Sequence, residues 1–551
     1  MKRENLKQMP ADRINRYLKW TGFLRMIPKK QLLSTLAYGI FRIIAATIWP
    51  YFLYRYLKDS TLPHVTELVP GVLAVLLLFI GSGVASYRQS AINIELLKTF
   101  SLELTERIWK KMHALNWLTF HQQSRVYYFD MMMVEAWRLR GAMGAVLEVL
   151  AINGIVAVAL IVVIALISFP LFLLCLGALA VLGGLHLYSM RKQRPCIQQF
   201  HAAWRRQHHW VAKSVDQFDL IKMGRGYARS ANQNREETDQ FLESNSEKLR
   251  QQSRWRIANQ AAGNLVRVLI FLVGIFWLQQ GYVQFSELLI VLLLVSVVQS
   301  NLMQVPGAVS ALMEGQDAAV TLSGFFDLVE EPVPDPEPVP PGAIGQLSFK
   351  GVGYLYNGGA GIQDLDLDLV RGKIYLWQGR NGSGKSTAAH MLLGLLEPQE
   401  GSLFLNGEPA GWEVLKTLRS RFGFLDQDAP IFMGSIKENT VFGHEEPERA
   451  WAGLGSSWLY GLLPSGSDPN SRHVGERGEG LSGGEAKRIA LIRELLRSHE
   501  VLILDEPLNH LDESAIRVLR QEIAHLKKDR IIIIISHQPG FESIADEIRS
   551  F

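Results

Sequence analysis

The run Gly379-Arg380-Asn381-Gly382-Ser383-Gly384-Lys385-Ser386-Thr387 fits the pattern G-x-x-x-x-G-K-[ST] at every fixed position. Such glycines let backbone N–H groups close around phosphate oxygens at a helix N-terminus. The Lys385 ammonium adds positive charge for the outer phosphates, and the Ser386 hydroxyl can ligate Mg²⁺. A second set of reactive groups follows the apolar run Val501-Leu502-Ile503-Leu504, which ends in Asp505 and Glu506. A buried strand of this kind delivers its last residues to the edge of an α/β sheet. Asp505 can there join a Mg²⁺ shell, and Glu506 can polarise a water for attack on a γ-phosphate. Between the two sets, Leu481-Ser482-Gly483-Gly484-Glu485 opens a helix and offers a further anion site. One nucleotide has no use for two such cradles in one monomer.

Positioning these groups requires a strand before the loop and a helix after it. Ile374-Tyr375-Leu376-Trp377 suits a buried strand and Ser386 to Leu395 a helix, with a further strand at Ile531 to Ile535. This α/β region follows Glu330 to Pro341, a proline-rich and therefore semi-rigid linker. Ahead of the linker the composition changes. Six apolar runs, approximately Leu32 to Leu57, Val65 to Tyr87, Met143 to Ser168, Leu171 to Met190, Ala262 to Gly281 and Leu288 to Gln304, are each near the ~20 residues that cross hydrocarbon. The expected organisation is a transmembrane domain over 1–329, a linker over 330–345 and a nucleotide-binding domain over 346–551. The segment Met1 to Gln31 is basic, and the long links Arg88 to Arg140 and Arg191 to Arg256 are rich in Lys and Arg, whereas the short links are nearly free of them. The positive-inside rule thus puts both termini in the cytoplasm. In the long links Leu96, Phe100, Leu104 and Ile108 keep a helical period, so the spanning helices should continue beyond the bilayer as amphipathic rods. The stretches around Trp117 to Gln123 and Phe218 to Gly226 interrupt that pattern and are candidate cytoplasmic turns that dock the nucleotide domain. The net charge of +4 is too small to suggest a nucleic-acid surface, the two cysteines indicate no disulfide framework, and the first span should replace a cleavable signal peptide.

The phosphate loop, the strand carboxylates, the Leu-Ser-Gly-Gly-Glu stretch and His537 together resemble the nucleotide-binding domain of ATP-binding-cassette (ABC) proteins, whose signature is usually Leu-Ser-Gly-Gly-Gln. The resemblance implies that two domains sandwich two ATP molecules, each between one domain's phosphate loop and the other's signature helix. It assigns ATP and Mg²⁺ as cofactors. Gly379, Asn381, Gly382, Ser383, Gly384, Lys385, Ser386 and Thr387 would hold phosphates, and Tyr356 would stack on adenine. Ser386, Gln427 and Asp505 would hold the metal, with Gln427 reporting nucleotide state to the membrane part. Glu506, His537 and Lys385 would be catalytic, His537 contacting the γ-phosphate. Ser482, Gly483, Gly484, Glu485 and Asp512 would serve the second site across the dimer interface. Val474-Gly475-Glu476-Arg477-Gly478 resembles a coupling stretch of ABC exporters. Glu485 departs from the usual glutamine and Asn509-His510-Leu511-Asp512 from the commoner Ser-Ala-Leu-Asp. The first change adds a carboxylate near bound phosphate.

The implied activity is ATP-driven export by alternating access, in a homodimer or a heterodimer, at a bacterial inner membrane. Polar residues within the apolar runs, Arg42, Glu148, Asn153, Arg267, Gln299, Asn301 and Gln304, are candidates for the translocation path, since hydrocarbon tolerates them only facing a cavity or one another. They favour a peptide or secondary metabolite as cargo. A lipid or lipid-linked flippase uses the same architecture, and a regulatory ABC protein that gates a partner is a third class.

Overall fold

A computed structural model of the chain describes residues 33–35, 37–41, 48, 65–147 and 154–551 apart from 225, 333–341, 357–358, 429, 456, 465–469, 471, 476–477 and 510. Arg42, Glu148, Asn153, Glu476, Arg477, His510 and most of the first apolar run and of the linker therefore lie outside the described residues. The chain forms two compact units. One contains the described residues up to Glu330 except Asn116–Phe120, and the other contains Asn116–Phe120 with Glu331–Phe551.

The first unit is helical: α1 (Val65–Ala114), α2 (Ala136–Ala145), α3 (Gly154–Ile167), α4 (Phe169–Asp216), α5 (Tyr227–Gln279), α6 (Phe285–Leu302) and α7 (Val305–Phe326). The second to sixth apolar runs fall in α1, α2 with α3, α4, α5 and α6 respectively. Among the described residues, segments of α1, α4 and α5 are long and apolar enough to cross a membrane, and Val156–Ile167 and Phe285–Asn301 are shorter apolar helices. The 50 residues of α1 extend for roughly 75 Å at the helical rise, far more than the ~30 Å of hydrocarbon. Its sequence changes character along that length. Leu73, Leu77, Ile80 and Val84 are exposed, a surface that water would not tolerate as a patch but lipid does. Further along, Leu96, Phe100, Leu104 and Ile108 recur every four residues and are buried, the last three in one cluster with Leu139, Met143, Leu322 and Phe325. The rod ends at the first predicted turn, and α4 gives way to α5 through the second, where a short helix spans Phe218–Met223. Lys111, near the end of α1, is buried and donates to the Leu328 carbonyl at 2.7 Å and the Glu330 carboxylate at 2.6 Å, closing the unit where its chain leaves α7.

The second unit has two main sheets. An antiparallel one runs β2 (Gly361–Val370), β1 (Gln346–Leu355), β4 (Glu400–Leu405), β5 (Glu408–Ala410). A parallel one runs β11 (Glu547–Ser550), β3 (Ile374–Gln378), β10 (Ile531–Ile535), β9 (Val501–Asp505), β6 (Phe422–Leu425). Between β6 and β9 in the chain, Gly434–Ser435 (β7) and His473–Val474 (β8) form a small pair. Parallel strands covered on both faces must be apolar throughout, which explains the five consecutive isoleucines of β10. Alternate β10 residues serve opposite cores. Ile531, Ile533 and Ile535 pack with the antiparallel sheet and the helix α8 (Lys385–Leu392), and Ile532 and Ile534 with α9 (Gly483–Leu496) and α10 (Glu513–Leu526). Trp117 packs in the first of these cores, its ring centroid 4.5 Å from that of His390.

Phe349 is fully buried in β1 and meets Trp412 edge to face at 5.5 Å. Phe349→Ala should destabilise this unit by about 3–5 kcal/mol. We expect a melting temperature lower by several degrees in detergent, and an unchanged melting curve would show that this contact does not hold the core.

Candidate functional site

The order of the parallel sheet decides which chain segments meet. Neighbouring strands β3, β10, β9 and β6 end on the same edge, and there they deliver the loop 379–384, His537, Asp505 with Glu506, and Gln427. A cavity of about 450 Å³ lies at this edge, lined by Tyr356, Asn381 to Thr387, Gln427, Asp505, Glu506 and His537 among others. Gly379 precedes the lining stretch. Ser482, Gly483, Gly484, Glu485 and Asp512 do not line this cavity.

The loop keeps its shape through left-handed glycines. Gly384 caps α8 at φ +101°, where a Cβ would also lie 2.3 Å from an Ile362 side-chain carbon. Lys385 Nζ curls back to donate to the carbonyls of Gly379 at 2.8 Å and Arg380 at 3.0 Å, and to Ser383 Oγ at 3.3 Å. The cation is thus held where free N–H groups and the helix end already favour an anion. Tyr356 follows β1, lines the cavity and sits edge-on to Tyr354, centroids 5.0 Å apart.

The acid side of the cavity is crowded. Burial pushes the Asp505 carboxyl up to about 6, and the neighbouring Glu506 and Asp426 carboxylates add to this against Lys487 and Lys385. Glu506 has φ +48°, a conformation that side chains other than glycine rarely adopt. One of its oxygens accepts the His537 N–H at 3.1 Å and lies 2.5 Å from His537 Nδ1. Ser386, Gln427 and Asp505 share this cavity, so a hydroxyl, an amide and a carboxylate are available for a hard cation. The carboxylates crowded beside them, offset only in part by Lys487 and Lys385, are what a divalent ion would relieve, and the residues therefore fit Mg²⁺ with a nucleoside triphosphate.

The Leu-Ser-Gly-Gly-Glu stretch forms the start of α9, and Gly483 faces open space. Ser482 Oγ accepts the Glu485 N–H at 3.2 Å and Glu485 accepts the Ser482 N–H at 2.7 Å, a reciprocal cap. That Ser482 N–H holds the Glu485 carboxyl below its usual range, with help from Arg472 at 3.2 Å. Asp512 caps α10, accepting from the Ala515 N–H and the Ser514 hydroxyl, each at 2.7 Å. Two groups escaped the sequence reading. Arg472 neutralises Glu485 from outside the motif. Lys487 is buried and donates to backbone carbonyls beside Gln427 and Asp505. Its signal was a lysine on the same face of α9 as Leu491, where a helix period calls for an apolar residue.

The first unit has cavities of its own, apolar for the most part with a few polar groups on their walls. One of about 510 Å³ is lined by His186, Gln193, Arg256, Asn259, Gln260 and Ser310 with other residues of α4, α5 and α7. A smaller one of about 160 Å³ shares His186, Asn259 and Met303 with it and adds Gln299. Asn259 is 6 % exposed, and neither its Oδ1 nor His186 Nδ1 has a hydrogen-bond partner. Of the sequence candidates for a path, Gln299 lies here. Arg267 instead donates to Asn264 and, at 3.5 Å, to Ser296, while Asn301 donates to the Val297 carbonyl at 2.9 Å.

Two family models match the chain: the ABC transporter transmembrane region over residues 33–302 and the ABC transporter model over residues 362–509. Together they account for about three quarters of the sequence. An uncharacterized ABC transporter ATP-binding protein of Sinorhizobium fredii is 32% identical over 245 residues, 42% of this chain and 41% of the relative. An ATP-dependent lipid A-core flippase of Chromobacterium violaceum is 31% identical over 246 residues, 43% and 41% of the two. The chain thus spans about two fifths of the length of these curated relatives. A solved structure of a bacterial Atm1-family ABC exporter with ATP bound superposes with a TM-score of 0.82 at 18% identity, covering 95% of this chain and 93% of that one, a match of fold.

Because Asp505 is protonated below about pH 6, a divalent ion there must compete with a proton in acid and meets a carboxylate above it. With nucleotide present, Mn²⁺ affinity followed by electron paramagnetic resonance should weaken by about tenfold per pH unit below 6 and level off above 7. In Asp505→Asn the affinity should be low and flat with pH. A pH-independent affinity in the unaltered chain would separate Asp505 from the metal.

Proposed function

Because the chain belongs to the ABC transporter family and has the fold of its exporters, we propose that it hydrolyses ATP to drive export of a polar or amphipathic compound across a bacterial inner membrane. The observation that carries the ATPase reading is the convergence of Lys385, Ser386, Gln427, Asp505, Glu506 and His537 on one cavity from four adjacent strand ends. Tyr356 stacks on the adenine at the edge of the cavity. The loop N–H groups receive the phosphates, and Lys385 exchanges its carbonyl partners for their oxygens. Ser386, Gln427 and Asp505 would hold Mg²⁺, which would supply positive charge for the outer phosphates. Glu506 orients the attacking water and takes up its proton, while His537 leaves Glu506 to donate to the γ-phosphate, where negative charge is concentrated.

The open N-terminus of α9 supports a two-copy assembly, with Ser482, Gly483 and Gly484 of one copy closing over the nucleotide of the other, and Asp512 lying along the interface. A homodimer is the simplest such assembly. Glu485 contributes by fixing the turn that presents those groups, since its charge is committed to Ser482 and Arg472. The stretch Trp117 to Gln123 and the turn Phe218 to Gly226 carry closure to the helices, which alternate between inward and outward access.

The unpartnered amide oxygen of Asn259 and the nearby Arg256 and His186 support a cargo with hydrogen-bond donors and negative charge, such as a small peptide or secondary metabolite. The similarity to lipid A-core flippases supports a second reading, a lipid whose polar head occupies the same cavity.

Glu506→Gln should lower steady-state ATP hydrolysis by at least about 100-fold while ATP binding is kept; undiminished turnover would remove Glu506 from this role. Untargeted mass spectrometry of medium and cells carrying the intact chain or Glu506→Gln identifies the cargo. A soluble compound that leaves the medium and accumulates inside supports the first reading. No soluble difference, with ATP-dependent leaflet transfer of a labelled lipid in vesicles, supports the second.

A further inference from the structure

Lys487 is 2 % exposed, one turn along α9 from Gly483, with its ammonium directed into the parallel sheet. A lysine buried so fully must spend its charge on acceptors, because an unpaired charge in the interior is strongly destabilising. An ammonium carries three protons. Lys487 Nζ has three carbonyl partners, Asp426 at 3.0 Å, Gln427 at 3.3 Å and Asp505 at 3.1 Å.

The places of those carbonyls matter more than their number. β6 and β9 are paired in register up to Leu425 and Leu504. The next residue on each strand is Asp426 and Asp505, and there the ladder stops because the chains diverge to present Gln427 and the Asp505 carboxylate to the cavity. Lys487 takes over at that point and bridges the two chains. Its charge also faces the carboxylates of Asp505, Asp426, Glu506 and Asp428, so an apolar side chain of similar length could fill the space without serving either need.

The lysine belongs to the helix whose N-terminus is proposed above to close over a second copy's nucleotide. From Ser482 to Lys487 is five residues, roughly 7.5 Å along a rigid helix. We infer that Lys487 is a positioning residue that ties the Gln427 turn of one nucleotide site to the helix that closes the other, so that occupancy of one site is felt at the second. This rests on the two-copy ATPase reading.

The test uses the full chain with Lys487→Met, which removes all three donors at similar length, and Lys487→Gln, which retains two donors without charge. Without nucleotide, amide hydrogen exchange across 426–430 should rise by about tenfold in Lys487→Met and by a smaller factor in Lys487→Gln. The Hill coefficient for ATP hydrolysis should exceed 1 in the unaltered chain and fall to about 1 in Lys487→Met, with Lys487→Gln between. A lower kcat alone, with cooperativity retained, is what a merely structural lysine would give and overturns the inference. Wild-type exchange in either variant overturns it, as does a Hill coefficient of 1 in the unaltered chain. If Lys487→Met does not fold, Lys487→Gln decides by the same two readouts. Loss of the ATPase reading is seen separately, as an unaltered chain that hydrolyses no ATP, and the exchange experiment needs no nucleotide.

Discussion

The nucleotide-binding unit is built around mutual repulsion of carboxylates at one edge of a parallel sheet. Asp505, Glu506 and Asp426 are brought together by β9 and β6, and burial, with their repulsion added to it, lifts the Asp505 carboxyl to about 6. Nothing in the apolar strands offsets this. The compensation comes from side chains of other elements: Lys487 from α9 beneath the cluster, and His537 from the end of β10 against Glu506. Part of the negative charge stays unbalanced, and a divalent ion fits that charge. The strained backbone at Glu506 fits the same account, since strain persists only where the surroundings over-determine it.

That edge exists because of strand order. β10 lies between β3 and β9 although it follows both in the chain, so the loop after β3 and the acids after β9 flank the residue that follows β10. Apolar side chains on both faces fix each strand in depth, and register between neighbours fixes where each chain leaves the sheet. A slip of one residue in β9 would turn Asp505 away from the cavity, because side chains alternate faces. Packing of Leu502, Leu504, Ile532 and Ile534 against α9 and α10 resists that slip.

The parts of the site legible in the sequence are those encoded over short spans. The phosphate loop, the acids after an apolar run and the serine-glycine helix start each lie within a few residues, and backbone geometry forces their groups together whatever else the chain does. Contacts between distant segments left weaker marks. Glu485 read as an extra charge near phosphate, yet it is the reciprocal partner of Ser482 and is neutralised by Arg472, thirteen residues earlier in a separate turn. Lys487 bridges three carbonyls, two of them about sixty residues away, and a periodicity argument could flag it only as out of place. In the helical unit the apolar runs and the amphipathic continuation of α1 were legible from hydropathy and period. Asn259 was not, because it lies just ahead of the fifth apolar run where polar residues are ordinary; His186 stands inside the fourth run and left a signal, but only the packing of α4 and α5 reveals that the polar atoms of both lack partners.

Those two unpartnered atoms bear on how the helical unit holds together. A buried amide oxygen without a donor costs free energy, and the cost is avoidable by a leucine at the same position. Gln299 of α6 lies against Gly263 of α5 so tightly that a Cβ there would collide with its amide, yet neither Gln299 nor any described neighbour donates to Asn259 Oδ1. Further along the same two helices Arg267 does reach Ser296 at 3.5 Å, so it is at Asn259 that the pairing is missing. A largely apolar cavity that keeps buried polar atoms without partners would gain from a hydrogen-bonding compound, and occupancy of that kind would change the relative stability of helix arrangements. Only such differential stability lets a bound compound shift a population between two states.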